Sequence, residues 1–118
     1  MIYTMARAAD WRSAEARGQY DGSANDKADG FLHFSTADQL PGSAAKHRRG
    51  EADLILVAVS AARLGAALKW EPARGGQLFP HLYASLPLAL VDSASPLPLG
   101  PDGLHIFPPL DHSPAEES

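Results

Sequence analysis

The 118-residue sequence contains no cysteine, and this absence excludes several kinds of site at once. Without thiols there is no disulfide framework, no thiolate nucleophile and no cysteine-ligated zinc or iron–sulfur centre. Long hydrophobic runs are also absent, because no stretch approaches the roughly 20 apolar residues that a membrane-spanning helix needs. The first residues, Met1–Met5, have neither the basic lead nor the apolar stretch of a signal peptide, so we expect a cytoplasmic location.

The chain also lacks a strong excess of one charge. Its 10 Lys and Arg residues against 14 Asp and Glu residues leave a net charge of −4. A mildly acidic protein is not expected to bind nucleic acid or anionic membranes non-specifically. The local exception is Lys46-His47-Arg48-Arg49. This basic stretch is either a solvated helix end, where cations complement the dipole, or a phosphate-contacting patch beside a cleft.

The length and the segment pattern predict a single α+β domain over residues 1–110. Helices are expected mainly in the first half, with a small mixed, mostly antiparallel sheet built largely from the second half. The run Leu54–Val59 is apolar on both faces and is therefore predicted to be a central strand. Residues 20–29 are polar and predicted to form a loop, the best candidate for a lid. The acidic residues 111–118 are expected to be a disordered tail.

Two histidines in apolar, strand-like segments are the clearest signs of a functional site. Strand alternation places Phe31, His33 and Ser35 on one face, and Phe79, His81 and Tyr83 on one face of another strand. A buried ionisable ring must be hydrogen-bonded or it costs stability. If these strands are neighbours, His33, His81 and Tyr83 line one cleft, joined by Lys69 and Glu71 from a third strand.

His33 comes shortly before a predicted helix start. Ser35 can cap that helix, and Asp38 stands three residues later, as in a capping box. The free amides of a helix N-terminus bind phosphate, so Ser35 and Thr36 are candidate ligand-binding residues beside His33. The alternative is a core histidine satisfied by a backbone carbonyl.

His81 lies between Pro80 and Leu82. Proline removes a donor from the strand ladder, so this strand is predicted to lie at a sheet edge or to contain an irregularity. Irregular strands often present side chains to sites, and Tyr83 adds a second polar tip to the same face. A hydrogen-bonded core histidine is again the alternative.

Glu71 is the candidate carboxylate. Its neighbour Trp70 is expected to raise its pKa towards the range of acid–base catalysis, while an ionised Glu71 would stabilise a developing cation. The alternative is a surface carboxylate paired with Lys69 or Arg74.

The Arg74-Gly75-Gly76 segment is either an anion-binding nest, which makes Arg74 a candidate ligand-binding residue, or a plain hairpin turn.

The sequence has none of the common nucleotide-loop, serine-hydrolase or metalloprotease motifs. His33, His81 and His105 lack the spacing of a metal site, so no metal ligands are assigned.

Three blocks, taken in order, resemble the DUF952 family of small bacterial proteins. They are Gly30–Leu40, Leu68–Glu71 and Leu78–Tyr83, and the resemblance extends from Ile2 to about Pro98. The resemblance implies a relation to the ADP-ribosyltransferase-like fold, a split β-sheet core that binds NAD.

The most similar pattern is that of the RNA 2′-phosphotransferases, in which a strand reading His-Leu-Ser precedes a helix. His33-Phe34-Ser35 is similar to that strand. Those enzymes carry His-Gly-Thr in the first strand, where this chain has Ile2-Tyr3-Thr4-Met5. The resemblance therefore implies NAD or another ribose-phosphate ligand rather than their RNA reaction.

The resulting hypothesis is an ADP-ribosyltransferase-like enzyme that takes NAD, or a related nucleotide, as its substrate. Its catalytic residues are predicted to be His33, which holds a ribose hydroxyl or phosphate, Glu71, which stabilises the ribosyl cation, and His81. His81 and Tyr83 are expected to position the ribose or stack on the base. Two alternatives remain, a non-catalytic nucleotide or metabolite binding module and a metal-dependent enzyme built on the histidines.

Overall fold

A computed structural model describes residues 1–112 of the chain. The α-helices of this part are Ala8–Arg17 (α1), Ala24–Asp29 (α2) and Leu40–His47 (α3), all in the first half. The strands are Ile2–Arg7 (β1), Gln19–Tyr20 (β2), Leu32–His33 (β3), Ser35–Thr36 (β4), Leu54–Val59 (β5), Leu68–Pro72 (β6), Leu78–Leu82 (β7), Leu86–Pro87 (β8) and Val91–Leu97 (β9). Short 3₁₀ segments cover Ala61–Ala67, Arg74–Gly76 and Leu88–Leu90. The predicted α+β class with few helices is confirmed.

The largest sheet has the strand order β4-β1-β5-β9, and all its neighbours are antiparallel. Each face of this sheet is buried in a different apolar cluster. Ile2 and Val57 pack into one cluster with Trp11, whereas Tyr3 and Leu56 pack into the other. Because both faces are covered, β5 is apolar on both sides, as predicted for a central strand.

A second antiparallel sheet has the order β3-β7-β6, and a third pairs β2 with β8. The strand pairs among the described residues are all antiparallel. The prediction of mostly antiparallel pairing is confirmed, whereas the prediction of a mixed sheet is wrong for these residues. Pro80 lies in β7, the central strand of its sheet, and not in an edge strand. Phe34 donates its amide to the Pro80 carbonyl (3.0 Å), but proline has no N–H to return the bond. The irregularity that Pro80 causes is therefore the early end of the β3–β7 ladder at His33.

The polar segment 20–29 is not a loop throughout, because its second half forms α2. Ser23 and Asp26 form a capping box: the Asp26 amide donates to the Ser23 hydroxyl (3.1 Å), and the Ser23 amide donates to the Asp26 carboxylate (2.8 Å). Gly22 has a φ of 98°, and a side chain there would collide with Leu32 and Asp26. Local capping thus outweighs the polar composition on which the loop prediction was based.

The helix predicted to start at Ser35 starts five residues later. Thr36 and Gln39 make the reciprocal contacts, since the Gln39 amide donates to the Thr36 hydroxyl (3.3 Å) and the Thr36 amide to the Gln39 side chain (3.1 Å). These contacts close a turn, and α3 begins at Leu40. The helix start predicted at Ser35 is therefore wrong, and the ligand-binding role of Ser35 and Thr36 stays a prediction without a helix N-terminus to support it.

The predicted tail begins with two residues that contact the domain. The Asp111 amide donates to the Tyr3 hydroxyl (2.7 Å), and the His112 ring contacts the Asp38 carboxylate (2.8 Å). Residues 113–118 lie outside the described part, so the prediction of a disordered tail stays a prediction there. Among residues 1–112, no helix combines the length and the apolar character needed to cross a membrane.

Candidate functional site

The two histidines lie side by side on neighbouring strands. His33 in β3 is the register partner of His81 in β7, and their ring centroids are 5.7 Å apart. Phe31 contacts both rings: it stacks on His81 at 4.1 Å with an interplanar angle of 25°, and its centroid is 4.6 Å from that of His33. Antiparallel pairing therefore brings together two residues that are 48 positions apart in the sequence.

His33 is held between two carboxylates from α2. Its Nδ1 lies 2.5 Å from Asp26 Oδ1, and its Nε2 lies 2.9 Å from Asp29 Oδ2. An ionised carboxylate only accepts hydrogen bonds, so two such contacts require both ring nitrogens to donate. The hydrogen bond to Asp26 raises the pKa of His33, and the charges of Asp26 and Asp29 raise it further against the opposing effect of burial. Both contacts and the raised pKa favour the positively charged imidazolium, and the ring's partners are carboxylates rather than the backbone carbonyl of the alternative interpretation.

Asp26 is the residue that sequence reasoning missed. It is buried, with 6% of its surface exposed, and it accepts hydrogen bonds from the Ser23 amide, the His33 amide and the His33 ring. Burial alone would raise its pKa, but the hydrogen bonds from His33 and Ser23 lower it below the ordinary value. The only local signal is the Ser23-x-x-Asp26 spacing of a capping box, which predicts the helix start but not the distant histidine.

His81 has one carboxylate partner. Its Nδ1 lies 2.8 Å from Glu71 Oε1, and the Tyr83 hydroxyl donates to the same oxygen at 2.7 Å. The hydrogen bonds from Tyr83 and His81 lower the pKa of Glu71, whereas Trp70 was expected to raise it. The lowered pKa agrees with the other possibility, an ionised Glu71, since its carboxylate accepts two hydrogen bonds. The hydrogen-bond partners of Glu71 are thus His81 and Tyr83.

A cavity of about 750 Å³ opens beside the two histidines. Its lining comes from the edge of β1, from α2, from the end of α3 and from β3, β4 and β7. The polar and charged residues of this lining are Tyr3, Thr4, Arg7, Ser23, Asn25, Asp26, Asp29, His33, Ser35, Ser43, Lys46, His47, Arg48, Glu51 and His81. The rings of His33 and His81 therefore face a space large enough for a small ligand.

Cations from β1 and α3 form another part of the cavity wall. Arg7 contacts Glu51 at 3.1 Å, and Arg48 contacts the same carboxylate at 3.4 Å while donating to the Met5 carbonyl at 3.2 Å. Two guanidinium charges against one carboxylate leave one positive charge, and Lys46 adds a second. The basic stretch is therefore a helix end, as one interpretation predicted, and it also lies beside a cleft, as the other predicted.

The other predicted ligand-binding residues lie in different surroundings. The buried Ser35 hydroxyl lines the cavity and is hydrogen-bonded to Ser43 at 2.9 Å. Thr36 is occupied by its turn with Gln39 and is not part of the lining. Lys69 is exposed and is the register partner of His81, which places it at the outer rim of the β6–β7 face.

Arg74 begins a 3₁₀ segment in which Gly75 has a φ of 67°. Its side chain is outside the described part of the structure, so its predicted role stays a prediction. Within residues 1–112, no three His, Asp or Glu side chains are grouped so that they could hold a metal ion.

Comparison with known proteins gives close structural relatives without a described activity. The chain is similar to the crystal structure of protein CC0527 from Caulobacter crescentus, with 47% identity over 89% of this chain and 92% of that chain and a TM-score of 0.87. The solution NMR structure of CC0527 is also similar, with 48% identity over 87% of this chain and 89% of that chain and a TM-score of 0.79. No curated protein matches. The family model described as "Protein of unknown function (DUF952)" matches residues 5–94, and the chain belongs to that family.

Proposed function

We propose that this protein is an ADP-ribosyltransferase-like enzyme that binds NAD, or a related ribose-phosphate compound, in the cavity beside His33 and His81. The observation that carries the proposal is the arrangement at His81. Glu71 holds one ring nitrogen, and the same ring lines a cavity in which one wall carries Arg7, Lys46 and Arg48 against the single carboxylate of Glu51. The proposal implies a relation to the ADP-ribosyltransferase-like fold and a cytoplasmic location, where free nucleotides are present.

The volume and the charges of the cavity support this class of ligand. Ligand pockets generally measure about 300–1,000 Å³, and this cavity falls within that range. The positive charge around Arg48 and Lys46 suits a pyrophosphate group. The carboxylates of Asp26 and Asp29 outnumber the single charge of His33, which suits the positively charged nicotinamide ring.

His81 is the proposed acid–base residue. Its Nδ1 is proposed to donate to Glu71, which leaves Nε2 as the nitrogen that would take up a proton. In the proposed reaction, the bond between the ribosyl C1′ and the nicotinamide nitrogen breaks, and its electron pair goes to that nitrogen. A nucleophile, with water as the simplest case, bonds to C1′ and gives its proton to His81. With water the products are nicotinamide, ADP-ribose and one proton.

Glu71 and Tyr83 have supporting parts in the proposal. Both hydrogen bonds that Glu71 accepts from His81 and Tyr83 end on Oε1, so neither of them uses Oε2. Glu71 is not among the residues that line the cavity, so it is proposed to orient His81 through Oε1 and to stabilise the ribosyl cation through its charge rather than by contact. Tyr83 is proposed to hold Glu71 in place. Both ring nitrogens of His33 are engaged by Asp26 and Asp29, so its proposed part is to contribute positive charge to the cavity wall.

A non-catalytic nucleotide or metabolite binding module is the second candidate. It is favoured by the tight pairing of His33, whose two ring nitrogens both contact carboxylates. A ring held in this way stabilises a binding wall but has no nitrogen left for proton transfer. This candidate predicts the same ligands and no products. The metal-dependent alternative has no supporting cluster among the described residues.

The test combines binding and product formation. Calorimetry with ADP-ribose and NAD measures binding, and chromatography of the same mixtures measures released nicotinamide. We expect binding by the wild-type protein, and His81→Gln should retain binding but lose about 10²- to 10⁴-fold in nicotinamide release. His112→Gln removes an exposed histidine outside the cavity and serves as the control. Binding without nicotinamide release would select the binding module, and no binding at millimolar concentration would reject the enzyme and a module specific for these nucleotides.

A further inference from the structure

Helix α2 is a short helix that forms part of the cavity wall. Ser23, Asp26 and Asp29 all line the cavity, and α2 has only six residues. Isolated helices of this length are not stable in water, because too few hydrogen bonds offset the cost of nucleation. The position of α2 therefore depends on contacts with the rest of the domain, and the His33 ring supplies two of them.

The two contacts differ in their surroundings. Asp26 is buried and also accepts hydrogen bonds from the Ser23 and His33 amides, so its position does not depend on the ring alone. The Asp29 side chain is 46% exposed and contacts His33 Nε2 from the last turn of α2. The contact between Asp29 and His33 is therefore the weaker of the two, and water can replace it.

Loss of one proton from His33 breaks this arrangement for a geometric reason. A neutral imidazole has a single N–H, so it can donate to one carboxylate only, and its other nitrogen then presents a lone pair. The remaining proton stays on His33 Nδ1 and is donated to Asp26, because water cannot replace this hydrogen bond at the buried carboxylate. A lone pair on Nε2 would then face the negative charge of Asp29, and the contact becomes repulsive.

We infer that α2 is a proton-controlled wall of the cavity, which is closed while His33 bridges Asp26 and Asp29 and opens at its C-terminal turn when His33 is neutral. The movement of α2 does not depend on the ligand. Its consequence, that ligand affinity falls as the pH rises, rests on the proposed function. The pKa of His33 is raised above its ordinary value of 6.5, so we expect α2 to open at neutral or alkaline pH.

The charged groups around His33 agree with this assignment. From α2, Asp26 and Asp29 face the ring directly, while Lys27 is exposed on the same helix. From β7, His81 is the only titratable neighbour among the described residues of that strand, and Glu71 stands on its far side. From β1, the uncharged Thr4 donates to the His33 carbonyl at 2.8 Å. The two aspartates are therefore the dominant partners of the His33 charge.

The experiment measures hydrogen exchange of residues 24–29 between pH 5 and 9 as protection factors, together with NMR titration of the His33 ring. In the wild-type protein, protection of these amides should fall about tenfold as His33 loses its proton, the effect of losing one charge-assisted hydrogen bond. Asp29→Asn should remove this dependence, because the amide accepts from the charged ring and donates to the neutral one. Asp38→Asn changes an exposed His–Asp pair elsewhere and should leave the wild-type behaviour intact.

Protection that stays constant while the His33 resonances titrate would overturn the inference. So would an Asp29→Asn protein whose α2 opens with the wild-type pH dependence. ADP-ribose affinity measured across the same pH range separates the two proposals. If α2 opens but ADP-ribose does not bind at any pH, the proposed function fails and the proton-controlled wall stands.

Discussion

His33 and His81 are direct neighbours on adjacent strands, yet their surroundings make them different chemical groups. His33 contacts two carboxylates, one of them buried, and both of its ring nitrogens are used. His81 contacts one carboxylate through Nδ1 and is covered on one face by Phe31. The comparison shows that the partner atoms, and not the residue type or the strand position, decide which histidine has both ring nitrogens engaged by carboxylates and which has only one.

The largest effect on stability is expected when Asp26, the buried carboxylate that contacts His33, is removed. Asp26→Ala leaves the Ser23 and His33 amides without their acceptor and the imidazolium without its main partner. We expect the free energy of unfolding to fall by about 3 kcal/mol, the lower end of the range for a broken buried pair, because His33 is partly exposed. Urea denaturation at pH 6 measures the change.

Asp38→Ala is the matched control for this variant. It removes the carboxylate of the His112–Asp38 pair, whose aspartate is 87% exposed. Its effect on the free energy of unfolding should stay within about 0.5 kcal/mol. Equal effects of the two substitutions would mean that the Asp26–His33 contact does not stabilise the fold.

The pH dependence of stability should come from the His33 side. The pKa of His33 is raised in the folded protein. Its contribution to the free energy of unfolding is therefore complete below the unfolded pKa of 6.5 and is lost as the pH rises through the folded pKa. The pKa of Asp26 is lowered, so its contribution is present above the unfolded value of 3.8 and is lost as the pH falls through the folded pKa.

Thermal unfolding measured between pH 3 and 9 should therefore show the highest melting temperature between about pH 3.8 and 6.5, where both contributions are present. Asp26→Ala should have a flatter profile on both sides, because it removes both contributions. A wild-type melting temperature that rises steadily from pH 6.5 to 9 would contradict the assigned charge of His33.

Phe31 is shared by both histidines, and changing it tests whether they form one cluster. Phe31→Leu keeps an apolar side chain but removes the ring that stacks on His81 and contacts His33. We expect a loss of about 1 kcal/mol in unfolding free energy, typical of an aromatic pair. In NMR spectra the ring signals of both histidines should shift; a shift of His81 alone would mean that the two sites are independent.

The smallest effect on stability is expected on the His81 side. Glu71→Gln removes a carboxylate at the surface, so the melting temperature should stay close to the wild-type value. The ring of His81 should still respond, since an amide can accept from or donate to Nδ1 and no longer fixes the tautomer. Nitrogen-15 shifts of the His81 ring report this change, and an unchanged spectrum would show that Glu71 does not orient the ring.

Several features of the site could be predicted from local sequence. The alternation of Phe79, His81 and Tyr83 correctly predicts that these side chains share a face, and the spacing of Lys69 and Glu71 does the same for β6. The pairing of β3 with β7 could not be predicted in this way, because strand register depends on contacts between distant segments.

The errors have physical causes as well. Pro80 was expected to mark an edge strand, but a proline is tolerated in β7 because the missing donor falls where the β3 ladder ends. Ser35 fits the local pattern of a helix cap, yet Thr36 and Gln39 close the turn and α3 starts at Leu40. In both places a contact beyond the local pattern decided the structure.

The α+β class, the central strand Leu54–Val59 and the two histidine-bearing strands follow from the sequence, because they depend on apolar periodicity within single segments. Only the tertiary structure decided that Asp26 and Asp29 bracket His33, that Glu71 accepts from both His81 and Tyr83, and that Lys46 and Arg48 face the same cavity. Charge states and partners arise from distances across the fold, and a linear pattern does not contain those distances.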